Sequence, residues 1–116
     1  NKQAEVIQEI ADENDCIIIG RCAGYILRDE PKCVKVYISA DKDFRTKRIM
    51  ASDHLDEKEA QKKIHSMDKK RDSYFGYYAG QDWKACHTYD LAISTSALGI
   101  DKAVDLICQY IELKFK

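Results

Sequence analysis

The sequence predicts an α/β fold in three layers, a parallel β-sheet with flanking helices. Short apolar runs rich in β-branched residues alternate with longer segments that carry apolar residues at helical spacing. Strands separated by helices imply parallel crossover connections, which place helices on both faces of the sheet. The length of 116 residues fits a single domain over residues 1–116, and the hydrophobic content of 45% is ample for one core.

The first half of the chain contains two predicted strands. In chain order we predict a helix over 2–13, a strand over 16–19, a short helix over 23–27, a strand over 34–38 and a helix from Asp41 to about residue 51. The run over 16–19 is continuously apolar, which is typical of a strand buried on both faces. Asp41 is a good N-cap for the helix that follows the second strand.

The second half begins with the longest predicted helix. Asp56 is its N-cap, and Glu59, three residues later, completes a capping-box pattern. This helix reaches at least residue 71 and extends toward residue 78. A third strand over 91–94, a loop over 95–99 and a last helix over 101–113 follow. Three strands are few for a sheet covered on both faces, so further strands are expected upstream.

The net charge, the cysteine content and the apolar runs of the sequence indicate which partners and which cellular location to expect. The net charge of −1 gives no overall attraction to nucleic acid or to an anionic membrane, and we expect neither as a partner. The five cysteines form an odd set without a CxxC pair, so neither a disulfide framework nor a zinc site is indicated. With no signal peptide and no long apolar span, a cytoplasmic location is expected.

Gly20 and Arg21 close the first predicted strand. Ligands of α/β sheets gather at the carboxyl ends of strands, where glycine lets a phosphate or sugar approach the backbone. The arginine could then hold a phosphate through two hydrogen bonds. A turn glycine followed by a surface arginine is the alternative.

Two charged pairs lie on the predicted helices at a spacing of three residues. Arg45 and Arg48 are one helical turn apart and could face the same anion, while Asp68 and Arg71 repeat this spacing on the long helix. Phosphoryl transfer needs positioning and positive charge around the transferring group, which clustered arginines supply. The alternatives are a solvated helix face for the first pair and a weak intrahelical ion pair for the second.

Five segments, in this order and spacing, resemble the cytidylate kinase-like family of nucleoside monophosphate kinases. They are CIIIGRCAGYIL (16–27), VKVYISA (34–40), FRTKRI (44–49), residues 64–78 and YDLAISTS (89–96). The resemblance covers essentially the whole chain and corresponds to the C-terminal part of that fold. It implies an incomplete P-loop kinase fold in which residues from about 45 to 80 form a lid-like segment.

The resemblance also implies roles for single residues. Gly20, Arg21 and Asp68 match positions that hold the acceptor nucleotide, although the acid that follows the Gly-Arg pair in the family is Cys22 here. Arg45, Arg48 and Arg71 match lid arginines that close over the phosphates. Thr95 and Ser96 end the last strand, beside the region where family members place the donor base.

The donor-phosphate loop of a kinase is missing from these residues. No two of the five glycines are spaced as in GxxxxGK[ST], the sequence that cradles phosphates on backbone N–H groups. We therefore expect the intact protein to transfer a phosphoryl group from ATP, with Mg²⁺, to a nucleoside monophosphate such as CMP, and this segment alone to be inactive. The alternatives are a degenerate kinase fold that binds nucleotide without turnover, and a structural or oligomerisation domain. Homo-oligomerisation stays open.

Overall fold

The computed structural model describes residues 2–20, 22–79 and 88–116, and no side chain is described at 78 and 79. In chain order the elements are α1 (Lys2–Glu13), α2 (Ala23–Ile26), β1 (Val36–Ser39), α3 (Lys42–Asp53), α4 (Glu57–Ala79), β2 (Leu91–Ser94), α5 (Thr95–Leu98) and α6 (Ile100–Lys114). The described part is therefore mixed α/β, as predicted. No helix in these ranges combines the length and apolarity needed to cross a bilayer.

The sheet of the described residues has two strands. β1 and β2 pair in parallel, with Val36 opposite Leu91 and Ser39 opposite Ser94. Parallel neighbours require a long crossover, and here α3 and α4 lie within it. The ladder brings the carboxyl ends of both strands to one edge, directly before the first residues of α3 and α5.

The strand predicted over 16–19 is wrong for this structure. These residues form no strand, and the side chains of Ile17 and Ile19 are 93% and 89% exposed. The run has the composition of a strand buried on both faces, but such a strand forms only when neighbours supply backbone hydrogen bonds and apolar cover. The described residues give it neither. The three-layer sheet consequently stays a prediction, as do the single domain over 1–116 and the lid-like segment.

The predicted helices form with small changes at their ends. α1 has the predicted bounds, α3 continues two residues further than predicted, and α4 extends to residue 79. The segment 95–98, predicted as loop, is the short helix α5. It turns into α6 at Gly99, whose φ of 82° and ψ of 162° lie in a region that is open almost only to glycine.

The core is small and built mostly from small side chains. Its buried apolar residues are Ile7, Cys22, Ala23, Ala60, Ile93 and Ala103. On α6, the side chains of Val104 and Ile111 are 51% and 39% exposed. α6 therefore buries Ala103 but leaves much of its apolar face uncovered by the described residues.

Candidate functional site

α3 and α4 form a helical hairpin, and α3 is capped at both of its ends. The carboxylate of Asp41 accepts a hydrogen bond from the backbone N–H of Phe44 at 2.8 Å and so caps the first turn of α3. His54, with a left-handed φ of 54°, ends α3 by donating its N–H to the carbonyl of Met50. The two helices then pack against each other.

The predicted capping box starts α4. Asp56 accepts a hydrogen bond from the N–H of Glu59 at 2.8 Å, and Glu59 accepts one from the N–H of Asp56 at 3.3 Å. This reciprocal pair satisfies backbone N–H groups that would otherwise lack a partner. Ala60, one residue later, is fully buried. The connection between the helices is thus short and fixed at both sides, which sets the register of α3 against α4.

Asp68 joins the two helices at the centre of a cluster of guanidinium groups. Its carboxylate accepts a hydrogen bond from each Nη atom of Arg45, at 2.8 and 2.7 Å. Arg71, one turn further along α4, donates to the same Oδ1 atom at 3.2 Å. Two arginines from separate helices therefore share one carboxylate, and the three groups together carry a charge of +1.

The cluster is partly shielded from water, which strengthens its electrostatics. The side chains of Arg45 and Asp68 are 34% and 22% exposed, and that of Arg71 is 52% exposed. The hydrogen bonds from Arg45 lower the pKa of Asp68 against the opposing effect of burial. The same bonds raise the pKa of Arg45. Both groups are therefore charged across the physiological range.

The prediction that Arg45 and Arg48 face one anion stays untested. Arg45 turns to the carboxylate on α4, whereas Arg48 is exposed and makes no ion pair with another described residue. A second ion pair crosses the hairpin, from Lys63 on α4 to Asp53 on α3. It crosses the same two helices as the Arg45–Asp68 pair and involves none of the predicted site residues.

Gly20 adopts a left-handed backbone conformation, and its predicted contact with a ligand stays a prediction. Its φ is 68°, and a Cβ there would meet no atom within 4 Å, so backbone conformation alone favours glycine. Arg21 lies outside the described residues, and its predicted contact with the acceptor stays a prediction. Cys22 is buried, with a left-handed φ of 56°, and burial raises the pKa of its thiol. A neutral, buried thiol thus stands where the family resemblance placed an acid.

Thr95 and Ser96 form structural hydrogen bonds at the carboxyl edge of the sheet. The hydroxyl of Thr95 is buried and donates to the carbonyl of Ser39 at 3.2 Å. The hydroxyl of Ser96 accepts from the N–H of Asp41 at 3.1 Å and lies 2.9 Å from that of Ser94. Both residues tie the end of β2 to the turn between β1 and α3, and their predicted role beside the donor base stays a prediction.

No ion-binding cage is evident in the described part of the chain. Residues 2–20, 22–79 and 88–116 contain no group of three His, Cys, Asp or Glu side chains that could hold a metal ion. The arginines of the cluster offer N–H donors to an anion.

Comparison with known proteins decides the family. Residues 1–97 match the cytidylate kinase-like family. The chain belongs to this family. It is similar to the cytidylate kinase of Sulfolobus acidocaldarius, with 29% identity over 95% of the chain, and to that of Pyrobaculum neutrophilum, with 30% identity over 92%. In both cases it spans about 60% of the relative's length.

A solved structure has the same fold as this cytidylate kinase-like chain. It is the crystal structure of an uncharacterized protein from Eubacterium ventriosum, which is 37% identical and superposes with a TM-score of 0.91. The match covers 96% of this chain and 70% of that one. The arrangement of helices and strands around Asp68 is therefore shared with a protein determined by crystallography.

The pairing between Arg45 and Asp68 was missed by the sequence analysis. The spacing of three residues paired Arg45 with Arg48 and Asp68 with Arg71, each within one helix. A signal was nevertheless present: α3 and α4 are joined by three residues, and Arg45 lies about two turns before this connection while Asp68 lies about three turns after it. Residues at similar depth in a helical hairpin come close together.

Proposed function

We propose that the whole protein transfers a phosphoryl group from ATP to a nucleoside monophosphate, with CMP as the first candidate. Two findings support this proposal: the chain's membership of the cytidylate kinase-like family and the arginine cluster on the α3–α4 hairpin. The cluster carries the argument, because convergent guanidinium groups are what a phosphoryl-transfer site needs and what a simple helical surface does not require.

In this proposal the arginines supply positive charge and the fold supplies their positions. Arg45 uses two of its five N–H donors on Asp68 and Arg71 uses one, so most of their donors remain for phosphate oxygens. Arg48, exposed on α3, would join them when the lid-like segment closes and excludes water. Gly20 and Arg21 would hold the acceptor.

The use of ATP and Mg²⁺ is part of the proposal, and we assign their main binding sites to residues outside this chain. The chain contains no GxxxxGK[ST] sequence, and no group of three acidic, His or Cys side chains lies within the described ranges. A P-loop and the Mg²⁺ site are therefore assigned to other residues of the whole protein. We expect residues 1–116 alone to show no ATP turnover.

The test is a panel of nucleoside monophosphates incubated with ATP and the full-length protein. Wild type should phosphorylate at least one acceptor, and Arg71→Ala should lower kcat by about 100-fold, because a charged donor to the transferring group is lost. Lys63→Ala is the matched control, since it removes a cation from the same helix and breaks the other cross-hairpin ion pair. Equal activity of wild type and Arg71→Ala would contradict the role of this arginine.

A second function is favoured by one observation, the buried thiol at Cys22. In place of an acid that helps to hold the acceptor, this position offers a neutral apolar group. A protein that binds nucleotide without turnover would show calorimetric binding of ATP or CMP and no product in the same panel. The absence of any nucleotide binding would instead favour a structural or oligomerisation domain.

A further inference from the structure

We infer that Asp68 is a positioning residue: its carboxylate orients the guanidinium groups of Arg45 and Arg71 so that their remaining N–H donors form one binding site for phosphate oxygens. This inference rests on the proposed function and adds to it a task for the only acid in the cluster. The family resemblance had placed Asp68 in contact with the acceptor nucleoside. The geometry points to the arginines.

The two arginines occupy most of the acceptor positions of the Asp68 carboxylate. An ionised carboxylate has about four acceptor directions. Arg45 occupies one on each oxygen and Arg71 occupies a second on Oδ1, so a single direction remains, on Oδ2. The contacts that dominate the surroundings of Asp68 are therefore with the two arginines.

The carboxylate of Asp68 fixes the direction of the Arg45 guanidinium group. A guanidinium held by two parallel hydrogen bonds is fixed in its plane as well as in its position, unlike one held by a single bond. Arg45 is held in this way from the facing helix at 2.7 and 2.8 Å. Arg71 bonds the same Oδ1 atom, so its donor nitrogen lies within two hydrogen-bond lengths of an Nη atom of Arg45.

The negative charge of Asp68 also offsets the repulsion between the two guanidinium groups. Two guanidinium groups this close repel each other, and long arginine side chains with half-exposed surfaces would separate into solvent. The negative charge between them makes their proximity favourable before any ligand arrives. A phosphate then meets donors that are already assembled, and less ordering of side chains accompanies binding.

The experiment compares two acid-to-amide variants of the full-length protein. Asp68→Asn removes the charge that holds the arginines, while Asp53→Asn removes the same charge from the ion pair that crosses the same hairpin to Lys63. Circular dichroism and a thermal melt establish that both are folded. We expect Asp68→Asn to lower kcat at least about tenfold and Asp53→Asn to stay within about twofold of wild type.

A comparison of acceptors, together with further variants, distinguishes a positioning role of Asp68 from direct contact with the acceptor. Ribonucleoside and 2′-deoxyribonucleoside monophosphates are compared as acceptors. Positioning predicts that Asp68→Asn lowers kcat for both and leaves their ratio of kcat/KM unchanged. Asp68→Glu, which keeps the charge, should recover part of the activity, and Asp68→Asn should cause a smaller loss in an Arg45→Ala background than in wild type, because only Arg71 is then left to orient. The inference would be overturned if Asp68→Asn made kcat/KM equal for the ribonucleoside and the 2′-deoxyribonucleoside monophosphate and left kcat unchanged for the acceptor that wild type disfavours.

A direct binding measurement tests the inference even if the protein transfers no phosphoryl group. Calorimetric titration with pyrophosphate should show binding to wild type and to Asp53→Asn, with an affinity for Asp68→Asn that is at least about tenfold weaker. Catalysis is absent from this measurement, so the proposed function can fail while the positioning role holds. Equal pyrophosphate affinity in all three proteins, or none in wild type, would overturn the positioning role.

Discussion

The ion pair between Arg45 and Asp68 should stabilise the α3–α4 hairpin more than an ordinary surface pair does. Its two hydrogen bonds of 2.8 and 2.7 Å join the helices in a bidentate arrangement. The side chains are 34% and 22% exposed, so solvent still screens part of the attraction. Exposed pairs contribute about 0.2–1 kcal/mol, and we expect the better geometry and partial burial to raise the coupling energy to about 1–1.5 kcal/mol.

A double-mutant cycle measures this coupling in the full-length protein. Urea unfolding at pH 7 gives the free energies of unfolding of wild type, Arg45→Ala, Asp68→Ala and the double variant. A second double-mutant cycle, with Asp53→Ala and Lys63→Ala, is the matched control. That ion pair crosses the same hairpin, but its side chains are more exposed to solvent. We expect its coupling energy to be clearly smaller than that of Arg45 and Asp68, because solvent screens the more exposed pair more strongly.

Two results would refute this reasoning. The first is a coupling energy for Arg45 and Asp68 below about 0.3 kcal/mol, which would place the pair among surface contacts without net effect. The second is equal coupling in both cycles, which would show that the bidentate geometry and partial burial add nothing. High salt should weaken both couplings, and more so that of the exposed pair.

Three further predictions concern pH, a hydroxyl and a glycine. Because the pKa of Asp68 is lowered by Arg45, its stabilising effect is complete above the unfolded-state value of about 3.9 and is lost as the pH falls through the folded-state pKa. The difference in urea midpoint between wild type and Asp68→Asn should thus be constant from pH 7 to pH 5 and should shrink progressively below about pH 4; a difference that is as large at pH 3 as at pH 7 would contradict this. Thr95→Val should lower the free energy of unfolding by about 1 kcal/mol, since it removes the hydrogen bond to the carbonyl of Ser39; unchanged stability with weaker ATP binding would instead favour the predicted donor-base contact. Gly99→Ala should cost about 1–3 kcal/mol although the new methyl group meets no atom within 4 Å, because the backbone conformation itself excludes alanine; a thermal melt like that of wild type would contradict it.

Local signals in the sequence predicted the helices well. Asp41 caps α3, and the reciprocal hydrogen bonds of Asp56 and Glu59 form as the capping-box pattern predicts. Such patterns involve residues close in sequence, so their energetics do not depend on the rest of the fold. The strand over 16–19 failed for the opposite reason: a strand exists only through partners, and composition cannot show whether these are present.

The candidate site was predicted as a set of residues and not as an arrangement. Arg45, Asp68 and Arg71 were selected from the family resemblance, and the structure brings all three together. The spacing of three residues suggested pairs within each helix, whereas the strongest contact is between helices. Contacts within a helix follow from its period, but a contact across a hairpin depends on the register that the connection imposes.

The exposed side chains of Ile17 and Ile19 have a practical consequence for handling this polypeptide. Sulfate and phosphate salts favour the removal of such aliphatic groups from water, whereas ionic strength weakens contacts such as those of Asp68. A concentrated sulfate buffer should therefore promote self-association through the isoleucines while it screens the attraction between Arg45 and Asp68. Dilute chloride buffers should keep the polypeptide dispersed and its arginines ordered.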